Sequence, residues 1–135
     1  MVERIDREEG LLRARGEVAR SREELDAARL LHKRRFYFKS VSSSYYAIYH
    51  AAKALLLLKG VDHRTHEGIE RMFALYYIKT EEFDLNVGKP IGRLMKMRQE
   101  ADYFPEIPFT AEESAEAAKM AGAFIVNSAS FLSAQ

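Results

Sequence analysis

Apolar and polar positions along this chain recur with the helical period almost throughout, most densely over residues 41–60. There Val41, Tyr45, Ile48, Ala52 and Leu55 fall at spacings of four and three and make one apolar stripe. A second line, Ser44, Ala47, Ala51, Ala54 and Leu58, is small and uncharged, so another helix backbone can approach it closely. A third, Tyr46, His50, Lys53 and Leu57, sets polar groups among large apolar ones. A helix apolar almost all round is a buried one. The pattern therefore predicts a central helix over 36–60, each fully buried Leu or Ile contributing roughly 1.5–3 kcal/mol.

The other segments supply partners for it. Residues 6–33 read as a long polar helix with a narrow seam: Leu11, Val18, Leu25 and His32 seven apart, and Ala14, Ser21 and Ala28 three further on. Gly10 and Gly16 each cost roughly 1 kcal/mol relative to Ala inside a helix, so the first two turns are expected to fray. A turn follows near 33–35, and Gly60 is placed to end the central helix as its C-cap residue. Val61-Asp-His-Arg64 reads as a connector, and no run alternates for long enough to argue a strand. Thr65 suits the N-cap of a helix over 66–79 carrying Ile69, Met72, Phe73 and Tyr76. Pro90 opens a further helix to Tyr103, with Ile91, Leu94, Met95, Arg98 and Asp102 on one face. Pro105 and Pro108 enforce an extended segment. Thr110-Ala-Glu-Glu113 is a capping box opening a last helix to about Leu132, on a stripe of Ala117, Ala121, Phe124, Ser128 and Leu132. The expected fold is all-α: a single domain over 1–135, loose in its first few residues, built as an up-and-down antiparallel bundle of four to five helices.

Composition narrows the chemistry. With 135 residues, 47% hydrophobic and 30% charged, the chain is long enough for one well-formed core. It has no cysteine, which excludes disulfides, thiolate metal sites and a cysteine nucleophile. Net charge is only +1, from 21 basic and 20 acidic residues, so any affinity for nucleic acid must come from a local patch. The start lacks the apolar run of a signal peptide, and the longest apolar run, 54–58, is too short to cross a bilayer. A cytoplasmic protein without membrane contact is expected. No phosphate-cradling glycine loop, dinucleotide fingerprint or acidic metal cluster occurs, so neither cofactor nor metal is expected, and the chain does not look like a nucleotidyltransferase itself.

Several spaced residues carry a family likeness. Ser-x-x-Tyr-Tyr-Ala-x-x-His at 42–50, then Ala-Leu-Leu and Gly60, then Thr65-His66, then Arg98-x-x-Ala-Asp-Tyr103 together resemble the HEPN domain family, above all its short stand-alone members often paired with minimal nucleotidyltransferases. The likeness covers roughly residues 7–132. It implies a helical bundle, often a homodimer, that binds nucleotide or RNA. Some members are metal-independent ribonucleases acting as toxins, with the nucleotidyltransferase as antitoxin; others are binding modules without chemistry. The family's ribonuclease motif is an Arg followed, within two turns of the same helix, by a His. Arg98 fits the first element, but Tyr103 stands where the His is expected, and no His follows His66. A His near pKa ~6.5 is largely free base at neutral pH, whereas a Tyr near ~10 is ionised in about one molecule per thousand.

Candidate site residues follow. Arg98 is read as a phosphate clamp, through two parallel guanidinium hydrogen bonds, or as an ion-pair partner of Asp102 one turn away. His50, among Tyr46 and Lys53, is a core histidine or, if it lines a pocket facing Arg98, the best available general base. Tyr103 is a poor base that can still donate or stack. Asp102, Tyr46, Lys53 and His66 complete the expected ligand-binding set. The histidines of His63-Arg-Thr-His66-Glu67 lack the fuller constellation of a zinc site, and His66 is read as bonding locally. The basic and aromatic run Lys33-Arg-Arg-Phe-Tyr-Phe-Lys39 is a nucleic-acid patch or, more simply, a solvated corner anchored by its rings. The leading functional reading is a HEPN-type module binding nucleotide, RNA or a partner nucleotidyltransferase in a toxin–antitoxin-like pair. The alternatives are a metal-independent endoribonuclease using Arg98 with His50 or Tyr103, and a purely structural dimerisation domain.

Overall fold

The computed structural model describes residues 2–135, with side chains from Ile5 onward. The expectations placed on the first residues, a loose start and the want of an apolar leader, rest in part on Met1 and so lie outside the described residues. In chain order the elements are β1 (Val2–Arg4), α1 (Arg7–Lys33), α2 (Tyr37–Leu58), β2 (Val61–His63), α3 (His66–Phe73), a π-helical turn (Ala74–Ile78), α4 (Leu85–Gly88), α5 (Pro90–Tyr103) and α6 (Ala111–Ser133). The architecture is the expected all-α bundle.

Most of α2 is withdrawn from water, and α1, α3, α5 and α6 enclose it. Val41, Tyr45, Ile48, Leu55, Leu56 and Leu57 are fully buried along it. Its small-residue line lets α1 come close enough for side chains to bond the neighbouring backbone. Ser21 Oγ donates to the Ala47 carbonyl and Ser40 Oγ to the Ala28 carbonyl, both at 2.7 Å. On the other side Phe73, Phe83 and Phe124 meet with ring centres 5.0–5.2 Å apart, and the Tyr77 hydroxyl donates to the Leu55 carbonyl.

The helix ends follow local chemistry. Asp6 caps α1, and Thr65 caps α3 by accepting from the Gly68 amide at 2.9 Å. The capping box of α6 forms in full, Glu113 N–H donating to Thr110 Oγ1 and Thr110 N–H to Glu113 Oε1. Gly60 ends α2 in the left-handed region at φ +74. The corner between α1 and α2 places Arg35 at φ 67, and Phe38 there stacks on Phe109 with ring centres 6.3 Å apart. The rings of that corner thus anchor the 104–109 segment.

Three features differ from the sequence reading. Val61–His63 is a strand rather than a plain connector; it pairs antiparallel with Val2–Arg4, and the Ile5 amide extends the contact to the Gly60 carbonyl. Three residues are too few to display a two-residue period, and the pairing joins distant parts of the chain. The segment 80–89 contains a short helix, α4, capped by the Asp84 carboxylate. Finally, α1 is continuous from Arg7. Gly10 is buried where α2 passes, and a Cβ on it would lie 2.5 Å from the Leu57 carbonyl oxygen, whereas Gly16 is exposed with nothing nearby.

The two glycines therefore respond oppositely to Ala. Gly16→Ala should stabilise by about 0.5–1 kcal/mol, and Gly10→Ala should destabilise by about 1–3 kcal/mol, in urea unfolding. Equal effects would show that α1 does not approach α2 at Gly10. A second expectation concerns His63, only 5% exposed, whose ring lies over Gly68. Burial, with the charge of Arg71, pulls its pKa below the usual imidazole value against the opposing pull of Asp62. The unfolded chain then binds the proton more readily. Stability should be complete above about pH 7 and fall as pH drops below ~6.5. The same titration on His63→Gln should show a smaller slope; an unchanged slope would remove His63 from the account.

Candidate functional site

The polar line of α2 becomes a site because helices on three sides bring chemistry to it. Tyr45, Tyr46, Tyr49, His50 and Lys53 lie along one edge of α2. Glu17 reaches them from α1, His66 from the first turn of α3 and Arg98 from the middle of α5.

His66 does not bond locally. Fixed at the start of α3 by the Thr65 cap, it points back to α2, its Nδ1 2.6 Å from the Tyr45 hydroxyl. Its ring stacks on Tyr49 with centres 4.4 Å apart and planes 23° apart. Tyr45 is fully buried, and burial pushes its pKa well up, so the phenol stays neutral. A buried hydroxyl donates its proton to the acceptor it meets. Tyr45 therefore donates to Nδ1, and the proton of the neutral His66 ring sits on Nε2. Burial and the nearby Arg98 charge hold His66 below the usual imidazole value and favour that neutral form.

Arg98 lies over the same tyrosines, its Cζ 5.0 Å from the centre of Tyr45 and 5.7 Å from that of Tyr46. Such stacking contributes about 0.5–2 kcal/mol according to how far the cation is desolvated. The ion pair with Asp102 also forms, Nη1 to Oδ2 at 3.3 Å, but it is long, and Asp102 is 54% exposed against 19% for Arg98. An exposed pair of this spacing is worth about 0.3–0.5 kcal/mol. Arg98 Nε is buried without a hydrogen-bond partner among the described residues, at a cost of about 1–3 kcal/mol. The ion pair alone is too weak to account for a cation held this way.

His50 is not an isolated core histidine. Its Nδ1 lies 2.7 Å from Glu17 Oε2, with both side chains mostly buried. Burial pushes the Glu17 carboxyl upward, but the His50 hydrogen bond and charge, with Lys53 and Arg13, outweigh it and hold the group below the usual carboxylate range. Lys53, half-buried one turn beyond Tyr49, acts on both Glu17 and His66. His50, Lys53 and Arg13 thus surround Glu17 at one end of the edge, and Arg98 and His66 lie on the tyrosines beside it.

Tyr103 does not join it. It ends α5, five residues past Arg98 and so about 140° around the helix, and is 80% exposed. His63 turns away under Gly68, so the two histidines of the 63–67 segment serve separate places, and among the described residues no group of three metal-ligating side chains assembles. Ser44 is buried, consistent with packing rather than a nucleophile, and its hydroxyl finds no partner among the described residues. Past Asp102 a surface cleft opens between Arg35, Tyr37 and Phe38 on one side and Pro105, Ile107 and Phe109 on the other. Among the described residues, no helix is long and apolar enough to cross a membrane.

Sequence reasoning missed Glu17, Tyr45 and Tyr49. Glu17 sits beside the α1 seam at Val18, and the one available signal was a carboxylate bordering an apolar stripe. Tyr45 had been absorbed into the core stripe, where its hydroxyl has no signature.

Comparison with known proteins finds relatives over much of the chain. Two Methanocaldococcus jannaschii proteins named as candidate toxins are 38% and 35% identical to the chain over 94 and 97 residues, covering 70% and 72% of it and 69% and 66% of their own lengths. A UPF0332 protein of Thermotoga maritima is 32% identical over 106 residues, covering 78% of this chain and 80% of that protein. The chain thus spans about two thirds of the length of the two archaeal relatives. Residues 17–127, which hold Glu17, the α2 edge, His66 and Arg98, match the HEPN domain. The chain belongs to the HEPN domain family.

Proposed function

We propose that this HEPN bundle is the toxin-like member of a two-component pair, working as a homodimer, binding RNA through the Arg98 cluster and partnered by a minimal nucleotidyltransferase. The observation that carries the reading is the placement of Arg98. Its guanidinium is laid over Tyr45 and Tyr46, and its charge and that of Lys53 both act on His66, which bonds Tyr45. Fork-shaped cationic donors suit phosphate oxygens, and the tyrosine faces suit a base or ribose next to them. The M. jannaschii proteins named as candidate toxins support the toxin-like role and, through it, a partner that restrains it. The purely structural reading keeps one observation in its favour, the Arg98–Asp102 pair.

The two readings part on Arg98. Binding of a mixed-sequence single-stranded RNA, measured at fixed low salt in excess chelator, should weaken about 10–100-fold in Arg98→Ala, as expected for losing a charged hydrogen-bonding partner. Arg98→Lys should recover little of it, because an ammonium neither stacks flat nor binds two phosphate oxygens side by side. Unchanged RNA affinity in Arg98→Ala together with a shifted monomer–dimer equilibrium would replace this reading with the structural one.

A further inference from the structure

We propose, on the reading that this chain binds RNA through Arg98, that the cleft past Asp102 takes a guanine base of the strand, with Asp102 the residue that selects it. The cleft has a volume of about 450 Å³ and lies between the corner of α1 and α2 and the 104–109 segment. Rings wall it, those of Tyr37, Phe38 and Phe109 with Pro105. Phe38 and Phe109 stack with planes 27° apart, and Phe38 still keeps 39% of its surface exposed. Aromatic faces hold any unstacked base and select none, so selection needs a polar group among the rings. Among the residues lining the cleft, Asp102 is the one carboxylate. It stands one turn beyond Arg98, about 5.4 Å along the axis, and accepts from Arg98 Nη1 at 3.3 Å. A carboxylate has about four acceptor sites, and this bond takes one. The residue that borders the phosphate-binding cation is thus also the one that meets a base entering the cleft.

A carboxylate reads an edge that carries two donors side by side. Guanine presents its N1–H and its N2 amino group in that way, one for each carboxylate oxygen. Adenine and cytosine set an acceptor nitrogen next to a single amino donor, and uracil sets its one N–H between two carbonyls. Each of these three brings a lone pair against the carboxylate, and that mismatch is the source of discrimination. The charges around the cleft point to a nucleic acid strand rather than to an apolar segment of a protein. Arg35 lines the cleft and is exposed, as are Lys33, Arg34 and Lys39 beside it in the chain. A carboxylate within and cations outside suit a ligand that is anionic along its backbone and a hydrogen-bond donor at its tip. Arg35 also holds the left-handed φ of 67, which Gly or Asn adopts at less cost. A corner that had only to turn would be better served by Gly, so Arg at this position points to a use for its side chain.

The test is fluorescence anisotropy of the full chain at fixed low salt in excess chelator, with short single-stranded oligouridines carrying one central guanosine, inosine or adenosine. The guanosine strand should bind about 10–100-fold tighter than the adenosine strand, as expected for one contact through two hydrogen bonds. Inosine, which lacks the N2 amino group, should fall between them in the wild type, independently of any variant's folding. Asp102→Asn presents one donor and one acceptor in place of two acceptors. It should erase the preference while keeping the affinity for the adenosine strand, a split that a merely structural Asp102 would not give. Guanosine monophosphate should displace the guanosine strand only weakly; displacement as tight as the strand itself would make the occupant a free nucleotide and overturn its placement along RNA. Equal affinity for the guanosine and adenosine strands, or a preference that survives Asp102→Asn, would overturn the guanine cleft. Strands bound alike, with affinity lost in Arg98→Ala, overturn the cleft and leave the binding reading standing. Strands not bound at all overturn both.

Discussion

The close approach of α1 to α2 is the constraint on which the rest of this structure depends. A helix apolar nearly all round has to be enclosed, and α2 is enclosed most tightly along its line of Ser and Ala. Three contacts set the register there: Ser40 to the Ala28 carbonyl, Ser21 to the Ala47 carbonyl, and bare Gly10 against the Leu57 carbonyl. The helices run antiparallel, so each step back along α1 from Ser21 matches a step forward along α2 from Ala47. One turn back from Ser21 is Glu17, and the matching place on α2 is His50. The carboxylate–imidazole pair is therefore a consequence of core packing. A slip of α1 that separated Glu17 from His50 would also break two buried serine hydrogen bonds.

Packing also decides the electrostatics. Tyr45 and Tyr49 are buried enough that ionisation is disfavoured, so they serve as neutral rings, and Tyr45 as a donor to His66. Burial and the Arg98 charge act on His66 in the same direction and keep it neutral. Glu17 is the opposite case, since its cationic neighbours outweigh burial and keep it charged. The cluster thus contains fixed cations and a neutral donor imidazole, with Glu17, Asp102 and Glu67 as carboxylates at its margins.

Much of this architecture was legible in the sequence. The 3.6-residue period located the long helices to within a residue or two, and Thr65, Pro90 and the Thr110–Glu113 box located their starts, because capping is local chemistry. The β1–β2 ladder was not legible, since three-residue strands carry no period and their pairing joins residues far apart in the chain. The site was half legible. Arg98, Asp102, Tyr46, His50 and Lys53 stood out as polar groups among apolar ones and His66 through the Thr65-His66 pair, and all lie on or beside the cluster. Tyr103 was chosen by its place in a linear motif, which takes no account of its turning away from Arg98 around the helix. Glu17 carried almost no signal, because an acidic residue on a mostly polar helix resembles its solvated neighbours until the facing helix is in register.

The two imidazoles show why residue type and spacing underdetermine chemistry. His50 and His66 have the same side chain, share Tyr49 as a neighbour and lie on one edge, yet as neutral rings they present opposite nitrogens to a ligand. The difference comes wholly from the atom bonded to each Nδ1, a carboxylate oxygen in one case and a phenol hydroxyl in the other. A carboxylate can only accept, so it sends the ring proton inward to itself; a buried phenol must donate, so it sends the ring proton outward to Nε2. Neither partner is near its histidine in sequence, and each is delivered by a different helix contact. A motif that places an Arg and a His on one helix fixes their separation but not the tautomer of the ring. Taking the imidazoles from α2 and α3 gives up that local spacing, and in exchange lets the packing of the bundle assign each ring its role.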